Sequence, residues 1–131
     1  MMRVRGPILL VVALLGGCSA PCEEVPISRN FAPDNNHIAY VTGRNCGATA
    51  DFATVVRIGR SDADKDSAQE VFVADSNHGR ATTFDRGVPV VRVTWLDARH
   101  LHVAGVNEAR VFKNQARSDG ISISYGKLTV D

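Results

Sequence analysis

Along this chain one uncharged apolar run gives way to short segments in which apolar and polar residues alternate. The run is Gly6–Gly17, GPILLVVALLGG. Alternation begins at His37–Gly43, where Ile38, Tyr40 and Thr42 share one side. Ala53–Arg60 (ATVVRIGR) is rich in β-branched residues, and Glu70–Asp75 (EVFVAD) is short and apolar. Val88–Leu96 places Val91, Val93 and Trp95 on one face. His100–Gly105 turns Leu101 and Val103 inward and His100 and His102 outward. Ile121–Leu128 sets Ile121, Ile123 and Tyr125 against serines. A period of two between turn clusters predicts half-buried strands, and one wet face with one packed face predicts antiparallel pairing. Ala109–Arg117 reads two ways, as a helical turn or, the reading adopted, as a short strand at Arg110–Lys113.

The punctuation suits hairpins. Pro33–Asn36 and Asp97–Arg99 carry residues that tight turns favour. Ser61–Gln69 and Asp75–Gly87 are longer polar loops. A short repeat, Asp-x-x-His-aliphatic-x-apolar, starts at Asp34 and again at Asp97, 63 positions apart. The expected fold is all-β: an antiparallel meander of roughly seven or eight strands. It would consist of two similar hairpin-based halves, Ile27–Asp75 and Val88–Asp131, forming a sandwich or partly open barrel. A chain of 131 residues fits one domain with a working core.

The N-terminus supplies an address. Met1-Met2-Arg3-Val4-Arg5 is basic, and the apolar run after it is shorter than the roughly 20 residues a spanning helix needs. This is the signal-peptide pattern. Leu15-Gly16-Gly17-Cys18 resembles the lipobox of bacterial lipoproteins. The resemblance implies diacylglycerol on the Cys18 sulfur, cleavage before Cys18, and two or three acyl chains such as palmitate, enough for stable anchoring. An ordinary secretory cut after Ala20 would leave Pro21 first, which disfavours cleavage. The expected organisation is therefore a signal peptide over 1–17, a lipidated tether over 18–26 and one β domain over 27–131. Ser19, not Asp, follows Cys18, which in a Gram-negative host resembles the sorting rule for the periplasmic face of the outer membrane.

Three cysteines in an exported chain need an account. Lipidation removes Cys18, and an oxidising compartment lets Cys22 and Cys46 pair. Two free thiols or a metal site are the alternatives, and metal is disfavoured by the lack of any C-x-x-C spacing. Without Arg3 and Arg5 the chain has 13 basic against 14 acidic residues, which argues against a nucleic-acid binder.

Two further resemblances concern the body. FAPDNNHIAYV and VTWLDARHLHV resemble the hairpins of β-propeller blades, with Asn35 in place of the usual glycine. Two blades cannot close a propeller, so this supports a meandering sheet and lends no propeller function. Cys46-Gly47-Ala48-Thr49 and the Val91-Arg92-Val93-Thr94-Trp95 strand are similar to segments of a group of small uncharacterised bacterial lipoproteins. That group lends no activity.

Candidate chemistry is sparse. Asp62, Asp64 and Asp66 open like an EF-hand loop, but Ser67 and Val73 stand where it needs Gly and Glu. A solvated hairpin loop is the better reading, with weak calcium binding as the alternative. His100 and His102 share a strand face and could hold zinc or copper, but no third ligand is evident. His37, the repeat-mate of His100, points instead to a shared structural role. No nucleophile elbow, P-loop or dinucleotide fingerprint is present. Cys46 would be disabled by a disulfide, and Glu23-Glu24 fall in the expected tether, where no cleft could tune them. Trp95 continues a core face. No enzyme activity and no cofactor are expected. The leading expectation is a lipid-anchored envelope protein, a binding or structural accessory module with an envelope partner. The alternatives are an inhibitor or ligand-capture protein working through Asp75–Gly87, or a weak metal binder.

Overall fold

The computed structural model describes residues 22–47 and 50–129. The expected signal peptide, Cys18 and the first part of the tether lie outside the described residues, as do Ala48 and Thr49. The described residues form nine strands: β1 Glu23–Phe31, β2 His37–Asn45, β3 Ala53–Arg60, β4 Gln69–Asp75, β5 Val91–Asp97, β6 His100–Gly105, β7 Arg110–Asn114, β8 Arg117–Ser118 and β9 Ile121–Lys127. They build two sheets, ordered β1-β2-β3-β4-β7 and β5-β6-β9-β8. Val41, Val56, Ile58 and Val71 from the first sheet and Leu101, Val103, Ile121 and Ile123 from the second bury their side chains in one common core. The all-β expectation holds, in its sandwich form.

Three expectations are corrected. The domain starts earlier than Ile27: Glu23–Pro26, assigned above to the tether, pair with Asn45–Thr42 as the first part of β1. Pro26 sits on a sheet edge, where its missing N–H costs nothing. Pairing is not wholly antiparallel, because β6 and β9 run parallel. A parallel pair needs a crossover, and here the chain crosses to the first sheet as β7, pairs with β4 and returns. That crossing also breaks the two-halves scheme, since β7 from the second half completes the first sheet.

The crossing depends on a β-bulge. Register shifts between Val56 and Arg57 against β4, leaving Val71 as the extra residue. The Val71 carbonyl then accepts Gln115 N–H at 2.8 Å and lies 3.1 Å from the Tyr125 hydroxyl of β9. Burial pushes that hydroxyl up to about 12. Trp95 Nε1 donates to the Asn30 carbonyl at 2.9 Å, tying the edge strand β5 to the edge strand β1.

The short repeat is structurally real but local. Asp34 Oδ1 accepts Asn36 N–H at 3.0 Å, and Asp97 Oδ1 accepts Arg99 N–H at 2.8 Å. Each aspartate makes the same side-chain turn two residues on and launches a strand that opens on histidine. The histidines then differ: His37 Nε2 lies 3.0 Å from Asp119 of the opposite sheet, whereas His100 Nδ1 meets Asp97 at 2.7 Å.

Candidate functional site

The outer face of the first sheet carries a charge network that the sequence did not reveal. Glu24 and Arg44 face each other across β1 and β2, and Arg57 and Glu70 across β3 and β4. Arg57 grips Glu24 with two bonds, 2.8 and 2.7 Å, and also reaches Glu70 at 3.0 Å. Arg44 donates to Glu24 at 3.1 and 3.0 Å and pairs with Glu70. All four side chains are largely covered. The Arg57 bonds dominate in holding the Glu24 carboxyl below its ordinary range. For Glu70, burial pushes upward, but the hydrogen bond and charge of Arg44 win and the net direction is down. Glu24 is thus a structural ion pair, not a tether residue.

Arg57→Ala is expected to cost about 2 kcal/mol, because it leaves two largely covered carboxylates beside each other with Arg44 as their one shared cation. The pH dependence has a definite sign. A carboxyl whose folded pKa is depressed contributes its stabilisation above its ordinary pKa, 4.5 for glutamate, and loses it as pH falls through the folded value. Urea melts at pH 7 and pH 3 should therefore show a larger acid loss in the wild type than in Arg57→Ala. Equal losses would place the acid sensitivity elsewhere.

The metal candidates remain apart. His102 Nδ1 lies 2.8 Å from Ser124 Oγ, and its Nε2 lies where a Cβ on Gly126 would approach to 2.8 Å. Asp62 pairs with Arg60 at 3.5 Å in solvent, and the Asp64 carbonyl accepts Ser67 N–H and hydroxyl. A short 3₁₀ turn, Lys65–Ser67, follows, so the twelfth EF-hand position, Val73, falls inside β4. Ala68 instead folds back on Ile38 and Tyr40 in a small cluster on the sheet's outer face. No group of three or more His, Cys, Asp or Glu is placed to hold a metal among the described residues.

The feature with binding character is a cleft of about 450 Å³ between β1 and the β4–β5 loop. Its apolar walls are Val25 and Ile27 from β1, Phe52 before β3, and Phe84 and Val88 from the loop. Local sequence explains each wall. The β1 register shifts between Pro26 and Ser28, so Ile27 is a bulged residue without a partner on β2. Gly43 lets Val88 lie against β2: a Cβ there would meet Val88 Cγ2 at 2.7 Å. The loop is strapped down rather than loose. Ser76 N–H donates to the Phe52 carbonyl at 3.1 Å, Val90 N–H to Thr82 at 2.9 Å and Phe84 N–H to Val88 at 2.7 Å. At its tip Arg86 adopts φ 74, a left-handed conformation that is strained for arginine and typical of ligand clamps. At the loop's root Arg110 pairs with buried Asp75 and lowers its pKa.

The disulfide adjoins one end of this cleft. Cys22 and Cys46 are bonded, and their neighbours Glu23 and Asn45 are lining residues. The expected pairing is therefore present and fixes the wall formed by β1. Sequence reasoning named the Asp75–Gly87 loop but missed Phe52 and Ile27. The available trace was two lone aromatics, Phe52 and Phe84, each in a polar stretch.

Among known proteins, no family model matches the chain, and neither a curated protein nor a solved structure matches it.

Proposed function

We propose that this chain is a lipid-anchored envelope protein that acts as a binding module, taking its ligand in the cleft between β1 and the β4–β5 loop. The observation that carries the reading is the cleft itself: beside a strapped loop, Ile27 and Phe52 leave apolar surface open to solvent over a floor of Phe84 and Val88. Largely pre-formed, mostly apolar concavities of this size are the usual small-molecule sites. The lipobox-like Leu15–Cys18 supports the anchor, and the spacing of four positions from Cys18 to Cys22, which adjoins β1, supports a short connection to the membrane. In a Gram-negative host the place would be the periplasmic face of the outer membrane.

A second reading, a structural accessory module docking to an envelope protein, is favoured by the free edge of β7. Val111 and Phe112 there are 52% and 65% exposed, and unpaired edges invite strand addition.

Fractionation of a bacterial host expressing the native chain tests the address. The protein is expected in the membrane pellet through a carbonate wash, with an N-terminal peptide beginning at Cys18 and carrying a diacylglycerol mass. A soluble protein with an unmodified N-terminus would remove the anchor.

A further inference from the structure

We propose that the cleft holds one acyl chain of a membrane lipid, entering from the bilayer to which the domain is tethered. The inference rests on the anchored-module reading and names its ligand.

The walls are hydrocarbon. Ile27 and Phe52 are both 36% exposed, Phe84 is half-buried beside them, and buried Val88 floors the cleft against Gly43. The volume of about 450 Å³ lies in the range of small-molecule sites, roughly 300–1,000 Å³. A cavity of similar size on the outer face of the first sheet, about 480 Å³, has a mixed wall, in which Tyr40 and Val41 alternate with Arg29, Thr42, Asp64 and Lys65.

The rim argues for recognition of a chain and against recognition of an anionic head. Arg44 is committed to Glu24 and Glu70. That leaves Arg86 against the carboxylates of Glu23 and Asp85. Such a rim has no excess cation for a phosphate or free carboxylate. Hydrocarbon burial would supply the affinity, about fourfold per methylene.

Placement supplies the source. Glu23 and Asn45 line the end of the cleft that adjoins the Cys22–Cys46 bond. Cys18 and Cys22 are four positions apart, a reach of at most ~14 Å. A lipid on Cys18 would hold the mouth within that distance of the bilayer, where acyl chains are the most concentrated apolar ligand.

Photo-crosslinking in cells tests this on the full chain. p-Benzoylphenylalanine replaces Phe52 in the cleft or, as a control, Phe112 on β7. After irradiation, a phospholipid-mass adduct is expected at position 52 in about fifteenfold excess over position 112, the preference that burying two methylenes supplies. Equal adducts at both positions, a peptide adduct at 52, an adduct to the acyl chains on Cys18 itself, or no adduct would each overturn the proposal. Should the Phe52 variant not accumulate, the same reporter at exposed Ile27 gives the same readout. The N-terminal peptide is weighed in the same sample. An unmodified Cys18 beside a phospholipid adduct removes the anchor and leaves the cleft. A lipidated Cys18 with no adduct removes the cleft and leaves the anchor.

Discussion

Replacing Cys22 and Cys46 together by serine is expected to cost about 3–4 kcal/mol of folding stability. The bond spans a sequence separation of 24, and the chain-entropy model gives about that value for a loop of this length. In a domain of this size the loss is a fall in Tm of roughly 15–20 °C. The effect should appear as a lower urea midpoint with a somewhat steeper slope, because the unfolded chain, freed of the cross-link, exposes more surface. The location sharpens the expectation. The β1–β2 ladder runs from Phe31↔Ile38 at the hairpin turn to Glu23↔Asn45 beside the disulfide. The far end of an edge strand is where fraying starts, and Glu23–Ile27 form a wall of the cleft. Hydrogen exchange at Glu24 and Val25 should therefore accelerate more in the double serine variant than exchange at Val55 or Val56 in the central strand β3. A loss below about 1 kcal/mol would mean that the ladder alone already fixes this end, and that the bond serves another purpose.

Much of this fold was legible because alternation records burial directly. β5, β6 and β9 each turn one side to the common core, and their apolar residues recur at every second position, whereas β2 is apolar on both faces and meets that core with Ala39 and Val41, not with the Ile38–Tyr40–Thr42 side that its pattern marks. β1 was not legible as a strand from Glu23. It opens on two acids and contains a proline, which together read as a tether, yet an edge strand tolerates both. Its acids make sense only once the sheet exists. Glu24 finds Arg44 and Arg57, 20 and 33 residues away, through pairings that no local pattern encodes. The parallel β6–β9 pair was hidden for a similar reason. Alternation says which face a residue takes but not which strand lies beside it. The partner of β7 was decided by the Val71 bulge, whose carbonyl points toward Gln115 and Tyr125. The cleft was the least legible part. Its walls come from β1, from the segment before β3 and from the β4–β5 loop, and each contributes one or two apolar residues inside a polar stretch. Such residues signal a site only when three-dimensional placement brings them together.

A Cys18→Ala variant is expected to lose lipid labelling completely and to accumulate as a precursor retaining the 17 residues before Cys18. The sulfur is the atom that would be alkylated, and in the lipoprotein class alkylation precedes the cut. The competing cut after Ala20 does not need this sulfur, so it predicts a mature protein of unchanged size. One gel with a fatty-acid label therefore separates the two readings. The variant also separates address from fold. Cys18 lies four residues before the staple and outside the described strands, whereas stability resides in the Cys22–Cys46 bond, the Glu24–Arg44–Arg57–Glu70 network and the core. The urea midpoint of the Cys18→Ala chain is expected to match that of the wild type within about 0.5 kcal/mol, because the disulfide, the ion network and the core all remain. The precursor's apolar run, Gly6–Gly17, is too short for a stable span, so the variant should leave the carbonate-washed membrane. A reporter at position 52 should then lose its phospholipid adduct although the cleft is intact, because removing the tether lowers the effective concentration of acyl chains at its mouth. A full adduct in a chain without its lipid would show that the cleft draws its ligand without help from the anchor.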